Sequence, residues 1–227
     1  MQPIKILDRA YICLHVSVSD NESLVRILNI MDNIGYDIIA IVNKTIREVS
    51  QIQDRVKRSL LLSKLCVSGK KLKKYRSSTL QRYDIISVRP EDRFILNKLI
   101  RTPSVDIVTV YAHERDAIPS KDQLKIMAIE GKALEILVDY SVLYEYRKLK
   151  SFDILLNQAL EIEGLTVFVT NVVNKVSDIR CPGDLEHFLY ILTEDRYVIR
   201  ELRRKWLEFV VYTFYKRGVP DLSYFER

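Results

Sequence analysis

Three stretches of the chain say almost the same thing. Tyr83–Pro90 reads YDIISVRP, Tyr36–Lys44 reads YDIIAIVNK and Val105–His113 reads VDIVTVYAH. In each, an Asp opens an alternating run of mostly Ile and Val, and a basic or protonatable residue (Arg89, Lys44, His113) stands at or just past its end. Apolar alternation of this kind is the mark of a strand. Each copy also follows a segment with helical spacing. A helix-to-strand unit that repeats places its strands parallel in one sheet, because each crossover returns the chain to the same end.

The pleat adds detail. Counting from the Asp, the second and fourth positions are large (Ile39, Ile41; Ile86, Val88; Val108, Val110), and the third is small or hydroxylic (Ala40, Ser87, Thr109). In a closed parallel barrel the large residues meet the surrounding helices and the small ones suit a crowded interior. Lys44, Arg89 and His113 share the parity of the small position, which predicts them at the barrel mouth, at the C-terminal ends of their strands. Taken singly, each reads better as a solvated loop residue; the three in matching places weigh the two readings evenly.

The remaining elements follow the same rules. Tyr11–Val18 predicts a first strand, and Ser19-Asp20-Asn21 caps a helix with Leu24, Ile27, Leu28 and Met31 on one face, stopped at Gly35. Asp37–Val42 is the second strand, and Thr45 caps a helix striped by Ile46, Val49, Ile52 and Val56. Leu60–Val67 fits a helix or a strand, and regular spacing favours a third strand. Ser68–Arg82 is the most basic stretch, an exposed loop or short helix whose functional reading is a phosphate-contacting surface. Strand Asp84–Arg89 precedes a helix over Glu91–Ile100 opened by Pro90, and strand Asp106–Val110 precedes a helix from Ser120 to Ile129. Then come strand Leu134–Val138, a long helix over Ser141–Ile162, and strand Leu165–Val169. Helices Pro182–Leu192 and Glu194–Tyr215 close the chain, with Thr193 as the cap between them. No glycine-rich phosphate loop supports an open doubly wound sheet. The expected fold is α/β, a small irregular (β/α) TIM-like barrel of about seven parallel strands with extra C-terminal helices. One domain spans residues 1–227, with short tails at about 1–10 and 217–227.

Charge points to the class of partner. The 227 residues carry a net charge of +6, and a folded basic protein often meets a polyanion, with nucleic acid the first candidate. Cys13, Cys66 and Cys181 form no CxxC pair, so a disulfide framework or zinc site is not indicated and a reducing, cytoplasmic setting fits. The start of the chain has no signal-peptide pattern, and no apolar run approaches the roughly 20 residues of a membrane span.

Catalytic patterns are missing. His15, His113 and His187 make no HxH or HExxH group, and there is no GxSxG, P-loop or Cys–His pair. His15 reads as a core residue and His187 as a packing or surface residue. Asp37, Asp84 and Asp106 stand at strand starts, the wrong end for a barrel site, and read as junction residues. Glu135 lies among apolar strand residues, and a buried carboxylate needs a partner, so a salt bridge to a basic residue inside the barrel is the expectation. What remains at strand ends is cationic: Lys44, Arg89, His113, Arg115, Lys175 and Arg180. This set suits holding an anion better than breaking a bond. No catalytic or metal residue is assigned, and no cofactor is expected on this chain.

Ile129–Ser141 (IEGKALEILVDYS) and Phe168–Pro182 (FVTNVVNKVSDIRCP) then take on a familiar form. Gly131, Leu134-Glu135-Ile136 and Tyr140-Ser141, with Ile179-Arg180-Cys181-Pro182 and Asp184, resemble the protein component 3 family of archaeal ribonuclease P, which has a eukaryotic counterpart. Tyr83–Val88 and Asp106–Val108 resemble that family's central strands, and the likeness runs from about Tyr11 to the last helix. Three features depart from the family pattern. Cys181 replaces its signature Gly, Cys13 and His15 stand where acidic residues are usual, and Arg200, Arg203, Arg204 and Lys205 make the last helix unusually basic.

The resemblance implies a barrel without an active site of its own, joined to a catalytic RNA that removes the 5′ leader from precursor tRNA. It further implies the ribonuclease P RNA and its Mg²⁺, precursor tRNA, protein component 2 in a two-plus-two assembly and other ribonuclease P proteins as partners. Lys44, Arg89, His113 and Arg180 best match the family's basic strand-end residues. Two other readings stay open: a barrel metal-dependent phosphoesterase built on Glu135, His15 and His113, and a protein-interaction scaffold using the basic last helix.

Overall fold

The computed structural model describes residues 10–139 and 144–216, apart from the side chains of Arg115, Phe214 and Lys216. Seven strands, β1 (Ile12–Val16), β2 (Ile38–Val42), β3 (Leu60–Ser68), β4 (Ile85–Arg89), β5 (Ile107–Tyr111), β6 (Ala133–Val138) and β7 (Val167–Asn171), run parallel in sequence order. Between them lie α1 (Asn21–Asn33), α2 (Ile46–Gln53), the short α3 (Gly69–Leu72) and α4 (Ser77–Leu80), α5 (Arg93–Ile100), α6 (Lys121–Ile129) and α7 (Tyr146–Leu160). After β7 come α8 (Pro182–Thr193) and α9 (Arg196–Lys216). The sheet curls into a nearly closed TIM-like barrel. At the seam, Val16 and Val173 form a single bridge, with Ser17 N donating to Val173 O at 2.9 Å and Val173 N to His15 O at 3.0 Å.

The faces follow the pleat. Ile39 and Ile41 pack outward on Leu24, Ile27 and Leu28 of α1 and Val49 and Ile52 of α2. Ile86 and Val88 pack on Leu72 and Leu99. The Ser87 and Thr109 hydroxyls hydrogen-bond to each other inside the barrel. Lys64 of β3 and Glu135 of β6, both fully buried, meet across this interior. The Lys64 ammonium donates to both Glu135 oxygens at 2.6 Å and to Leu14 O at 2.9 Å, and Thr109 Oγ1 donates to Glu135 Oε2 at 2.6 Å. The basic partner expected for Glu135 is therefore Lys64.

The three repeated Asp residues act as clamps at strand starts. Asp37, Asp84 and Asp106 accept hydrogen bonds from the backbone N–H of Tyr11, Ser63 and Ile86 at 2.7, 2.7 and 2.8 Å. Each also donates its own N–H to the carbonyl of that same residue at 2.9 Å. This reciprocal pair fixes where a strand begins against its predecessor.

Local signals mostly hold, with corrections. Thr45 with Glu48 and Ser120 with Gln123 form capping boxes, and Gly35 and Gly131 take the left-handed φ of +99° and +64° that ends a helix. The helix expected from Glu91 starts at Arg93, because Asp92 is its cap, accepting from Ile95 N at 2.8 Å. Thr193 is not the cap of the last helix. Its hydroxyl donates back to Leu189 O within α8, and Asp195 accepts from Tyr197 N at 2.7 Å to start α9. The helix expected from Ser141 is observed from Tyr146, and residues 140–143 and both expected tails at 1–9 and 217–227 lie outside the described residues.

An irregularity in β1 turns a histidine inward. Cys13 pairs with Ile39 but Val16 with Ile41, so one extra residue lies between them and His15 comes level with inward-facing Ala40. Burial, then repulsion from Lys64, lowers the His15 pKa to about 4 against the attraction of Glu135. The ring is neutral in the folded protein at pH 7.

Two measurements test this interior. Glu135→Ala leaves the Lys64 ammonium buried without its counter-charge and should cost about 3–5 kcal/mol in urea unfolding. Lys64→Met/Glu135→Leu, which removes both charges, should restore most of that loss; equal losses would mean that charge is not the cause. For His15 the folded pKa lies below the unfolded one, so its contribution is complete above about pH 6.5 and declines as pH falls towards 4. Wild type should lose about 3 kcal/mol more across that window than His15→Phe, read from urea midpoints at each pH.

Candidate nucleic-acid interface

The expected cations do gather at the C-terminal end of the barrel, but in two groups with different chemistry. The first group surrounds a cleft of about 710 Å³ between the ends of β1, β2 and β7 and the start of α1. Lys44 and Lys175 stand on its walls with Ser17, Ser23, Asn43 and one carboxylate, Asp20, which is turned onto Ser23 N at 2.7 Å. Asn43 takes a left-handed φ of +61°, and its Oδ1 accepts from Cys66 N at 3.1 Å, which turns the chain so that Lys44 reaches the cleft. The Lys44 ammonium donates to Asn21 Oδ1 at 2.9 Å and lies 3.9 Å from Glu48. Lys175 is exposed, in a loop held by Asp178, whose carboxylate accepts the N–H of Asn174 and Lys175 at 3.0 and 3.1 Å. Two ammonium groups, hydroxyls and amides around an open cleft can hold a phosphate oxygen and its neighbouring sugar.

The second group, on β4 and β5, is already occupied. Arg89 closes β4 with its guanidinium paired to Glu114 and lying 4.8 Å from the Tyr111 ring centroid. The His113 ring tilts against Tyr111 with centroids 5.5 Å apart. Burial, largest among the causes, raises the Tyr111 phenol pKa. Arg89 thus has an intramolecular carboxylate partner, as Lys44 has in Glu48, while its side chain stays 44% exposed. Glu114, next to His113 in a polar loop, was the signal available for this pairing, and only the folded loops bring it to Arg89.

Arg180 is partnered as well. Its Nη1 donates to Ser177 O and Ile179 O at 3.0 and 2.6 Å, so it braces its own loop. Tyr36 adds a bond from its hydroxyl to Arg180 O at 3.2 Å, tying that loop over the seam. The Arg115 side chain lies outside the described residues.

Among the described residues, His15 Nδ1, His113 Nδ1 and Thr170 Oγ1 on strands or loops of the barrel are buried without a hydrogen-bond partner. Glu135, His15 and His113 do not assemble into the metal cluster that a phosphoesterase would need. Lys64 and Thr109 hold the Glu135 oxygens, and among the described residues no group of three or more His, Cys, Asp or Glu is placed to hold a metal ion. Among the same residues, no helix is long and apolar enough to cross a membrane.

Neither a known protein family nor a curated protein matches the sequence. Solved structures do share the fold. Two structures of tryptophan synthase from M. tuberculosis, the open form with BRD0059 bound and a ligand-free form of a mutant, align at TM-scores of 0.46 and 0.44. Each is 10% identical, over 92% of this chain and 97% and 98% of theirs. A chain of the cryo-EM structure of archaeal ribonuclease P with mature tRNA aligns at a TM-score of 0.71 and 16% identity, over 89% of this chain and 91% of that one. At this identity the likeness is one of fold: the chain shares, along nearly its whole length, the barrel of a chain found in that particle.

Proposed function

We propose that this chain is an RNA-binding protein subunit of ribonuclease P that supports the catalytic RNA as it removes the 5′ leader from precursor tRNA. The observation that carries the reading is the end-to-end match, at a TM-score of 0.71, with a chain of archaeal ribonuclease P. The mouth chemistry agrees with it. Lys44 and Lys175 present point charges in an open cleft. At the C-terminal end, where a (β/α)-barrel enzyme gathers its reacting groups, no group of three or more His, Cys, Asp or Glu among the described residues is placed to hold a metal ion.

In this reading the chain is not itself catalytic. Bond cleavage and Mg²⁺ belong to the RNA, and the protein supplies counter-charge that lowers the Mg²⁺ needed to hold the RNA in its active shape. Lys44 and Lys175 contact phosphates, and Arg89, His113 and Arg180 shape the rim around them. Protein component 2 completes a two-plus-two assembly with this chain, within a cytoplasmic particle that includes other ribonuclease P proteins.

Reconstitution tests the proposal. The chain, protein component 2 and the cognate RNA are mixed, and precursor tRNA cleavage is followed at limiting Mg²⁺. Wild type should raise the rate, and Lys44→Glu/Lys175→Glu should lower it about tenfold or more, with a normal circular dichroism spectrum. Losing two phosphate contacts should also flatten the dependence of log K on log salt by about 1–2 units of slope. A wild type that neither binds the RNA nor raises the rate would end this reading.

A further inference from the structure

The basic stretch Ser68–Arg82 has no part in the mouth just described. It folds as α3 and α4 on the outer wall, along the crossover from β3 to β4. There it packs against α5. A Cβ on Gly69 would lie 2.5 Å from Ile95 Cγ2 and 2.9 Å from Leu99 Cδ1, so the absence of a side chain lets the two elements close at one end. Away from that contact they part, leaving a groove of about 470 Å³. Leu72, Leu80, Ile95 and Leu99 line it with aliphatic surface, and Tyr75 is its one aromatic wall.

Lys70, Lys73 and Lys98 join Ser77, Thr102 and Ser104 in the lining, which includes no acidic residue; Glu91 stands at the closed end, where it accepts from Lys70 N at 3.2 Å. Among the described residues none of these three lysines enters an ion pair. The surrounding stretch adds Lys71, Lys74, Arg76 and Arg82 without a single Asp or Glu. Beyond the rim, Phe94 is 68% exposed with the Lys98 ammonium 4.3 Å from its ring centroid, so apolar surface continues onto the open face of α5.

We infer that this groove docks an acidic, amphipathic helical segment of a partner protein. Aliphatic walls accept the Leu, Ile or Phe knobs that such a helix presents at i, i+3 and i+4, and the lysine rim complements carboxylates on its flanks. The same rim would attract RNA phosphates. An RNA base, however, stacks on aromatic or guanidinium planes, and the lining offers one tyrosine and no arginine. The aliphatic lining therefore selects peptide over RNA. The inference is independent of the mouth and stands whether or not the chain belongs to ribonuclease P.

Fluorescence anisotropy on the full chain tests it, using three labelled probes. They are an amphipathic helical peptide of Leu and Glu with Leu on one face, a Glu–Gln peptide of equal charge, and single-stranded oligouridine. Ser77→Trp fills the groove without changing charge, Lys70→Glu/Lys73→Glu reverses the rim, and both are checked for folding by circular dichroism. The Leu–Glu peptide should bind wild type and lose about tenfold or more in each variant, while Lys44→Glu/Lys175→Glu leaves it unchanged. Failure of that peptide to bind would overturn the inference, as would equal binding of the Glu–Gln peptide or indifference to Ser77→Trp. Loss of oligouridine alone in Ser77→Trp would make the groove an RNA site and overturn it too.

Discussion

A lysine and a glutamate facing each other in a dry interior set the terms for the rest of this barrel. Moving either charge out of water is costly, and the cost is offset only when every remaining donor and acceptor is met. Lys64 therefore also reaches Leu14 O, and Thr109 reaches Glu135. Small inward side chains at Ala40, Ser87 and Thr109 leave room for the long ones. The pair joins β3 to β6, and its third bond reaches β1. It thus ties together strands of a sheet whose seam, from β7 to β1, is held by few backbone bonds. The packed interior of this barrel is thus given in part to a polar cross-link between strands.

The two ends of the strands divide the work. At the N-terminal end three Asp clamps fix the starts of β2, β4 and β5, each through one carboxylate bond and one backbone bond. With the starts fixed, loops at the other end can differ from one copy of the motif to the next. After β2 the chain turns through Asn43 to present a lysine. After β4 and β5 it brings Arg89, Tyr111, His113 and Glu114 together. The repeat thus makes similar strands and dissimilar rims.

This division explains what the sequence could reveal. Period-2 alternation is a local property, so the strands, their faces and the parity of Arg89 were legible, as were the Thr45 and Ser120 caps, which rest on residues three apart. Glu135 announced a buried partner because a carboxylate among apolar strand residues is too costly to bury alone. Lys64 did not announce itself. It sits in an apolar run that fits helix or strand, and only the register of β3 turns it inward. The partners of Arg89 and Arg180 were hidden for a related reason: they come from a loop across the rim and from backbone carbonyls, neither of which has a sequence pattern. The inward turn of His15 depends on one irregular residue in β1, which no alternation rule anticipates.

The occupied arginines bear on the kind of recognition the mouth can perform. A guanidinium reads a phosphate or a guanine edge with a rigid two-pronged fork, whereas an ammonium acts as a point charge with rotatable donors. Arg89 pairs with Glu114 and Arg180 turns onto its own loop, and among the described residues the cations lining the cleft are Lys44 and Lys175. Contacts of that type position a backbone and carry little base information. On the proposed function, a mouth of this kind would follow the shape of a folded RNA and tolerate changes in its sequence, because base pairing within the RNA already sets the structure.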